Sequence, residues 1–136
     1  MAFEILPHTD DIRIRATGTT LEALFLSAAR GLMSVLTPDY EQRKPDATRR
    51  RTFAVHSLDR ETLLIEFLSK LLATIDTENE VYPQLTITEL HERGLRAEAL
   101  GTPVEKFNVD IKAVTYQDMA ITETPEGYET TITLDV

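Results

Sequence analysis

Cysteine is absent from this 136-residue chain, and glycine occurs only five times. Without cysteine the chain can form no disulfide scaffold, no thiol nucleophile and no thiolate metal site. The five glycines match neither G-x-G-x-x-G nor G-x-x-x-x-G-K, so the common phosphate-binding loops are missing. No apolar run reaches membrane-spanning length, and the N-terminus has no basic, apolar leader. These absences favour a cytoplasmic protein and argue against thiol and nucleotide-binding enzymes.

Basic residues are also scarce, with 14 Lys and Arg against 23 Asp and Glu, which gives a net charge of −9. Such a chain is repelled by phosphate backbones, so nucleic-acid binding by the protein alone is disfavoured. A cation or a basic protein partner is easier to accommodate. The length, together with an apolar content of 42%, predicts a single globular domain over residues 1–136.

Two short segments concentrate charge of one sign. The segment RKPDATRRR (43–51) holds five of the 14 basic residues and contains a proline, which predicts a loop. It is interpreted as a solvated loop, with a partner-contact loop as the alternative. Three acidic residues, Asp76, Glu78 and Glu80, follow one another at alternate positions. They are interpreted as an exposed turn, with binding to a basic partner as the alternative.

Two segments have the three- and four-residue apolar spacing of amphipathic helices. In TTLEALFLSAARGLMSVLT (19–37), Thr19 and Glu22 have the spacing of a capping box, and Pro38 follows the end. In DRETLLIEFLSKLLATID (59–76), Asp59 is the expected N-cap. Each helix is apolar on one side, so we expect both to cover a larger surface.

Most of the remaining chain alternates between apolar and polar residues, as half-buried strands do. The predicted strands cover residues 11–16, 51–56, 84–90, 94–100, 108–114, 118–124 and 128–136. The last two flank Pro-Glu-Gly (125–127), a turn sequence that predicts a β-hairpin. One-sided alternation is typical of antiparallel sheets. The fold class is therefore predicted to be α+β, with two amphipathic helices packed on a largely antiparallel β-sheet.

Two aspartates stand at strand ends, Asp11 before Ile12 and Asp135 before the last residue, Val136. Asp135 and the main-chain carboxylate of Val136 would offer two anionic groups at almost one point. With Asp11 they would make three oxygen donors, which suit a hard ion such as Ca²⁺, Mg²⁺ or Mn²⁺. The pattern alone favours solvated strand ends, because it does not show that residues 11 and 135 meet. No H-E-x-x-H or G-x-S-x-G motif supports a hydrolase.

Four segments carry a resemblance to a known family. They are HTDDIRIRATGTTLEALFLSAARGLM, LLIEFLSKLLATIDTE, GTP followed by IKAVTY, and the terminal TTITLDV. Together these segments resemble the archease family from end to end. The resemblance implies a small acidic α+β helper protein, not a catalyst. Its expected partner is an RtcB-type RNA ligase, which joins 2′,3′-cyclic phosphate or 3′-phosphate ends to 5′-hydroxyl ends with GTP and Mn²⁺ in tRNA splicing or RNA repair.

The resemblance also implies a metal site formed by Asp11, Asp135 and Val136, the last through its terminal carboxylate, with Ca²⁺ as the expected ion. His8 and Lys112 are candidate supporting or partner-contact residues. The chain departs from the family pattern at Arg13, where many relatives have a small residue, and at Gln117, where they have histidine.

Two alternative functions are left open by the sequence. One is a chaperone or specificity partner of an RNA-modifying enzyme such as a tRNA methyltransferase. The other, ranked last, is a metal-dependent hydrolase with His8 or Asp10 as its base.

Overall fold

The computed structural model describes residues 2–7, 10–117 and 119–136. The described part contains two α-helices and eight strands. In chain order they are β1 (Ala2–Pro7), β2 (Asp11–Gly18), α1 (Leu21–Leu36), β3 (Arg50–His56), α2 (Arg60–Glu78), β4 (Glu80–His91), β5 (Gly94–Pro103), β6 (Ala113–Thr115), β7 (Thr122–Thr124) and β8 (Gly127–Asp135). A 3₁₀ turn over Tyr40–Gln42 lies between α1 and β3.

All strand pairings in the described chain are antiparallel, and they form two sheets. The five-stranded sheet has the order β1-β2-β8-β6, with β7 also paired to β8, and the three-stranded sheet has the order β3-β5-β4. The predicted α+β class with two helices on antiparallel strands is confirmed. Within the described residues, β3, β4 and β5 pair with one another and with no strand of the larger sheet. Periodicity does not reveal this division into two sheets.

One cluster of buried residues joins both helices to both sheets. At its centre Phe67 of α2 stacks on Phe25 of α1, with ring centroids 6.5 Å apart, and meets the edge of Phe53 of β3 at 6.4 Å. Phe53 in turn meets Tyr82 of β4 at 5.7 Å. The helices therefore present their apolar faces to a core that holds the two sheets together. Within the described residues, no helix combines the length and apolar character needed to cross a membrane.

The helix ends follow from local side-chain chemistry. The Oδ1 of Asp59 accepts a hydrogen bond from the Thr62 amide at 2.8 Å, which confirms the predicted N-cap of α2. The predicted cap of α1 is wrong by one residue. Thr20, not Thr19, is the N-cap, and its hydroxyl accepts from the Ala23 amide at 3.1 Å. The preceding strand β2 runs to Gly18, which leaves only two residues before the helix.

Two strand predictions require correction. Strand β1 is not among the predicted strands, although Phe3 and Ile5 have the alternation of a half-buried strand. Conversely, of the strand predicted over 108–114 only residues 113 and 114 pair with a neighbouring strand, as part of β6. Ile111 is buried nonetheless, so this alternation comes from an irregular segment that packs on the core. The predicted hairpin is confirmed, because β7 and β8 pair across Pro125 and Glu126.

Helix α1 approaches β2 closely at Gly31. A Cβ atom added to Gly31 would lie 2.6 Å from the Cγ2 of Ile14, which is fully buried. Alanine is normally better than glycine in a helix by about 1 kcal/mol. Here overpacking should outweigh that gain, so we expect Gly31→Ala to lower the free energy of unfolding by about 1 kcal/mol. Urea denaturation measures the change.

A double-mutant cycle identifies the cause of that loss. If the Ile14 contact is responsible, Gly31→Ala combined with Ile14→Ala should cost less than the sum of the two single changes. An increase in stability on Gly31→Ala alone would show that α1 can move away from β2.

Candidate metal centre at the end of the five-stranded sheet

The register of β2 and β8 brings the two strand-end aspartates together. Asp11 at the start of β2 is the direct antiparallel partner of Asp135 at the end of β8. Ile14, Ile132 and Leu134 are fully buried, which fixes the inward faces of the two strands. Directly opposed residues of an antiparallel pair project from the same face. The two carboxylates therefore lie on one outward face, at the same end of the sheet.

A third strand fixes the end of β8. Ala113 at the start of β6 pairs with Asp135, and the Lys112 amide donates to the Asp135 carbonyl oxygen at 2.7 Å. The side chain of Lys112 is exposed. Lys112 thus holds the strand end through its backbone, and Val136 follows at once, 37% exposed.

Parts of three of the four segments that carry the family resemblance meet at this place. IKAVTY contributes β6, TTITLDV contributes the end of β8, and the first segment contributes β2. Beyond β6 the Tyr116 hydroxyl donates to the Glu66 carboxylate of α2 at 2.9 Å. That hydrogen bond, with a smaller effect of burial, raises the pKa of Tyr116. The candidate site therefore lies at the end of three paired strands, β2, β8 and β6, and the residue after β6 is hydrogen-bonded to α2.

One basic side chain lies beside the carboxylate pair. The Nε of Arg13 is 3.5 Å from the Oδ1 of Asp11, and the Asp11 side chain is only 17% exposed. Two like charges placed opposite each other in a sheet repel, and the repulsion is stronger where water is partly excluded. Arg13 offsets part of this repulsion, and a bound cation would offset more.

The predicted ligands have the donor chemistry that a hard divalent ion needs, and two of them, Asp11 and Asp135, are placed opposite each other. Asp11 and Asp135 supply carboxylate oxygens, the donors that Ca²⁺, Mg²⁺ and Mn²⁺ prefer. Within residues 2–7, 10–117 and 119–136, no three His, Asp or Glu side chains converge to hold a metal. The predicted third donor is not a side chain but the main-chain carboxylate of Val136. Metal binding by this trio therefore stays a prediction.

The other predicted site residues have different outcomes. His8 lies outside the described residues, so its predicted role stays untested. Asp10 and Gln117 are both exposed.

The exposed turn predicted from Asp76, Glu78 and Glu80 is wrong, because Asp76 and Glu78 lie in the last turn of α2 and Glu80 begins β4. Asp76 and Glu78 are exposed, but Glu80 is fully buried. Its carboxylate accepts from the Nε of Arg51 at 2.6 Å and from the Nη1 of Arg49 at 3.1 Å. These arginines belong to the basic segment 43–51, so part of that loop pairs within the chain.

Comparison with known proteins agrees with the geometry. The sequence model of the archease protein family matches residues 3–136. The chain belongs to the archease family.

Curated archeases from two archaea are similar to it over nearly their whole length. The protein from Methanosarcina barkeri is 30% identical, covering 98% of this chain and 95% of that relative. The protein from Thermococcus kodakarensis is 36% identical, covering 92% of this chain and 91% of that relative.

Two solved structures have a similar fold. A Methanobacterium thermoautotrophicum protein solved in solution has a TM-score of 0.77 and 26% identity, over 98% of both chains. A Thermotoga maritima protein described as an archease and possible chaperone has a TM-score of 0.68 and 16% identity. That match covers 96% of this chain and 94% of that protein. At that identity the second likeness supports the shared fold alone.

Proposed function

We propose that this archease-family protein activates an RtcB-type RNA ligase in the cytoplasm, in tRNA splicing or RNA repair. It would promote guanylylation of the ligase and so allow each ligase molecule to complete many turnovers. The observation that carries the proposal is the family match over residues 3–136, and the β2, β6 and β8 parts of the resembling segments meet around the Asp11–Asp135 pair. The protein would act as a helper and not as a catalyst.

Charge is the physical basis for docking. The chain has a net charge of −9, whereas a ligase that binds the phosphates of RNA and GTP needs a basic region around its active site. Complementary potentials would speed encounter and orient the acidic sheet end toward that region. Docking alone does not promote guanylylation if the protein binds the guanylylation-competent and the incompetent states of the ligase equally well. The sheet end must therefore bind the guanylylation-competent state more tightly than the other.

Asp11, Asp135 and the terminal carboxylate of Val136 would hold a divalent ion, with Ca²⁺ expected and Mg²⁺ or Mn²⁺ as alternatives. When bound, the ion would offset the repulsion between the opposed carboxylates and supply a positive charge at the sheet end. The chain's own contribution is the placement of these oxygens. The β2–β8 register sets Asp11 against Asp135, and the Lys112 amide holds the strand end through the Asp135 carbonyl.

An RNA-joining assay with RNA in large excess over the cognate ligase tests the activation. With GTP and Mn²⁺ present, the ligase alone should stop after about one turnover, whereas adding this protein should let it cycle. The guanylylated ligase, followed with radiolabelled GTP, should form faster in the presence of the protein. Unchanged turnover and unchanged guanylylation would contradict activation.

The second candidate function is a chaperone or specificity partner of a tRNA-modifying enzyme such as a tRNA methyltransferase. It corresponds to the description of the Thermotoga maritima protein as a possible chaperone, a protein that shares the fold at 16% identity. This alternative predicts that the protein suppresses aggregation of the heated partner enzyme without changing ligation. Light scattering of the heated methyltransferase, with and without the protein, separates the two functions.

A further inference from the structure

Arg13 forms an ion pair with Asp11 and lies diagonal to Asp135 in the candidate metal centre. It follows Asp11 by two positions on β2, so both side chains leave the same face of the strand. Its direct partner across β8 is Thr133, which makes Asp135 a diagonal neighbour on that face. Diagonal neighbours lie within reach of a long side chain. The positive charge of Arg13 therefore lies on the same sheet face as both carboxylates, where the charge of a bound cation would also act on them.

The contact between Arg13 and Asp11 is an ion pair. The Nε–Oδ1 distance of 3.5 Å defines an ion pair, and the two side chains are 32% and 17% exposed. In the part of the chain that the structure describes, this Nε finds no hydrogen-bond acceptor. Partial burial strengthens the charge interaction relative to a fully solvated pair.

We propose that Arg13 is a built-in competitor of the metal, a positioning residue whose charge sets how tightly the Asp11–Asp135 pair binds a divalent cation. This inference rests on the metal site of the proposed function. In the metal-free protein Arg13 reduces the repulsion between the carboxylates. When a cation binds, the same positive charge opposes it. Linkage requires this antagonism to be reciprocal, so the cation must also weaken the contribution of Arg13 to stability.

Calorimetric titration of Ca²⁺ tests the competition directly. Because a positive charge is removed beside the site, Arg13→Gln should tighten Ca²⁺ binding by about three- to tenfold at low ionic strength. The gain should shrink in about 0.5 M KCl, where screening is strong. Arg13→Lys keeps the charge and should stay within about twofold of the natural protein.

Arg15 provides the matched control. It lies two positions further along the same face of β2 and forms an ion pair with Glu129, away from the strand end. Arg15→Gln removes the same charge from the same strand and should leave Ca²⁺ affinity within about twofold. Equal tightening by Arg13→Gln and Arg15→Gln would overturn the proposal, because only net charge would then matter. Unchanged or weaker binding by Arg13→Gln would overturn it too, as would a lack of Ca²⁺ binding by every variant.

Thermal unfolding provides a second readout that a purely structural role would not produce. In EDTA, Arg13→Gln should melt a few degrees below the natural protein, because the carboxylates then repel each other without the offsetting charge of Arg13. Saturating Ca²⁺ should close that gap. A gap that stays constant with and without Ca²⁺ would overturn the proposal. Ligase turnover is measured separately. If the Arg13 variants change Ca²⁺ affinity and melting temperature as expected but the protein does not activate the ligase, the ligase function is rejected and the role of Arg13 stands.

Discussion

Replacing Glu80 by glutamine should lower the free energy of unfolding near neutral pH by about 2–3 kcal/mol. The Glu80 carboxylate is fully buried and accepts hydrogen bonds from Arg51 and Arg49. Glutamine keeps the size but loses the charge, so two guanidinium groups lose their buried anionic partner, and only the more exposed Glu78 beside Arg51 and Asp46 beside Arg49 remain. The expected loss is below that of a fully buried ion pair, because the side chains of Arg49 and Arg51 are 34% and 30% exposed.

This effect should depend on pH in a defined direction. Burial raises the pKa of Glu80, but interactions with Arg51, the Tyr82 hydroxyl and Arg49 outweigh it and hold the pKa below its usual range. A lowered folded-state pKa stabilises the protein fully above the unfolded value, about 4.3, and the contribution is lost as pH falls through the folded value. The stability difference between the natural protein and Glu80→Gln should be constant above about pH 5 and shrink below about pH 4. Urea denaturation over a pH series measures it.

Glu78→Gln is the matched control. Glu78 also accepts from the Nη2 of Arg51, at 3.1 Å, but its side chain is 41% exposed. Water can replace that contact, so the loss should stay below about 0.5 kcal/mol. Equal losses from the two variants would contradict the importance of burial at Glu80.

The signals for the helices are local, which is why sequence predicted them well. Asp59 caps α2 through an amide only three residues away, and the apolar spacing of each helix spans a few turns. The one-residue difference at Thr20 reflects two adjacent threonines that are chemically equivalent caps. The failure at residues 108–114 has a different cause, since Ile111 is buried without strand pairing around it. Alternation reports burial on one side, whereas a strand also needs a partner.

The candidate site depends on long-range pairing, which periodicity does not specify. Asp11 and Asp135 are 124 positions apart and meet only because β2 pairs with β8 in one particular register. The family resemblance, and not the strand pattern, predicted that meeting. Glu80 could have been found from a local signal. Arg51 shares its strand face with Phe53 and Val55, both buried, and an inward-facing arginine calls for a buried acid.

Asp135→Ala should remove most of the ligase stimulation and weaken Ca²⁺ binding by roughly 100-fold, because it deletes one of the three proposed ligands. The stability of the metal-free protein should hardly change. Asp135 is exposed at a strand end, and its loss relieves repulsion with Asp11. Calorimetry with Ca²⁺, the multiple-turnover ligation assay and urea denaturation in EDTA measure the three quantities on the same preparations.

Glu129→Gln is the control for Asp135→Ala, because Glu129 lies on the same face of β8 at the opposite end of the strand. It removes one negative charge without touching the carboxylate pair, so both Ca²⁺ affinity and stimulation should persist. If Asp135→Ala loses Ca²⁺ binding but still stimulates the ligase, the metal only supports the fold and activation depends on another surface. If it loses stimulation while Ca²⁺ binding persists, Asp135 contacts the ligase directly. Loss of both, with Glu129→Gln intact, assigns activation to the metal-binding end of the sheet.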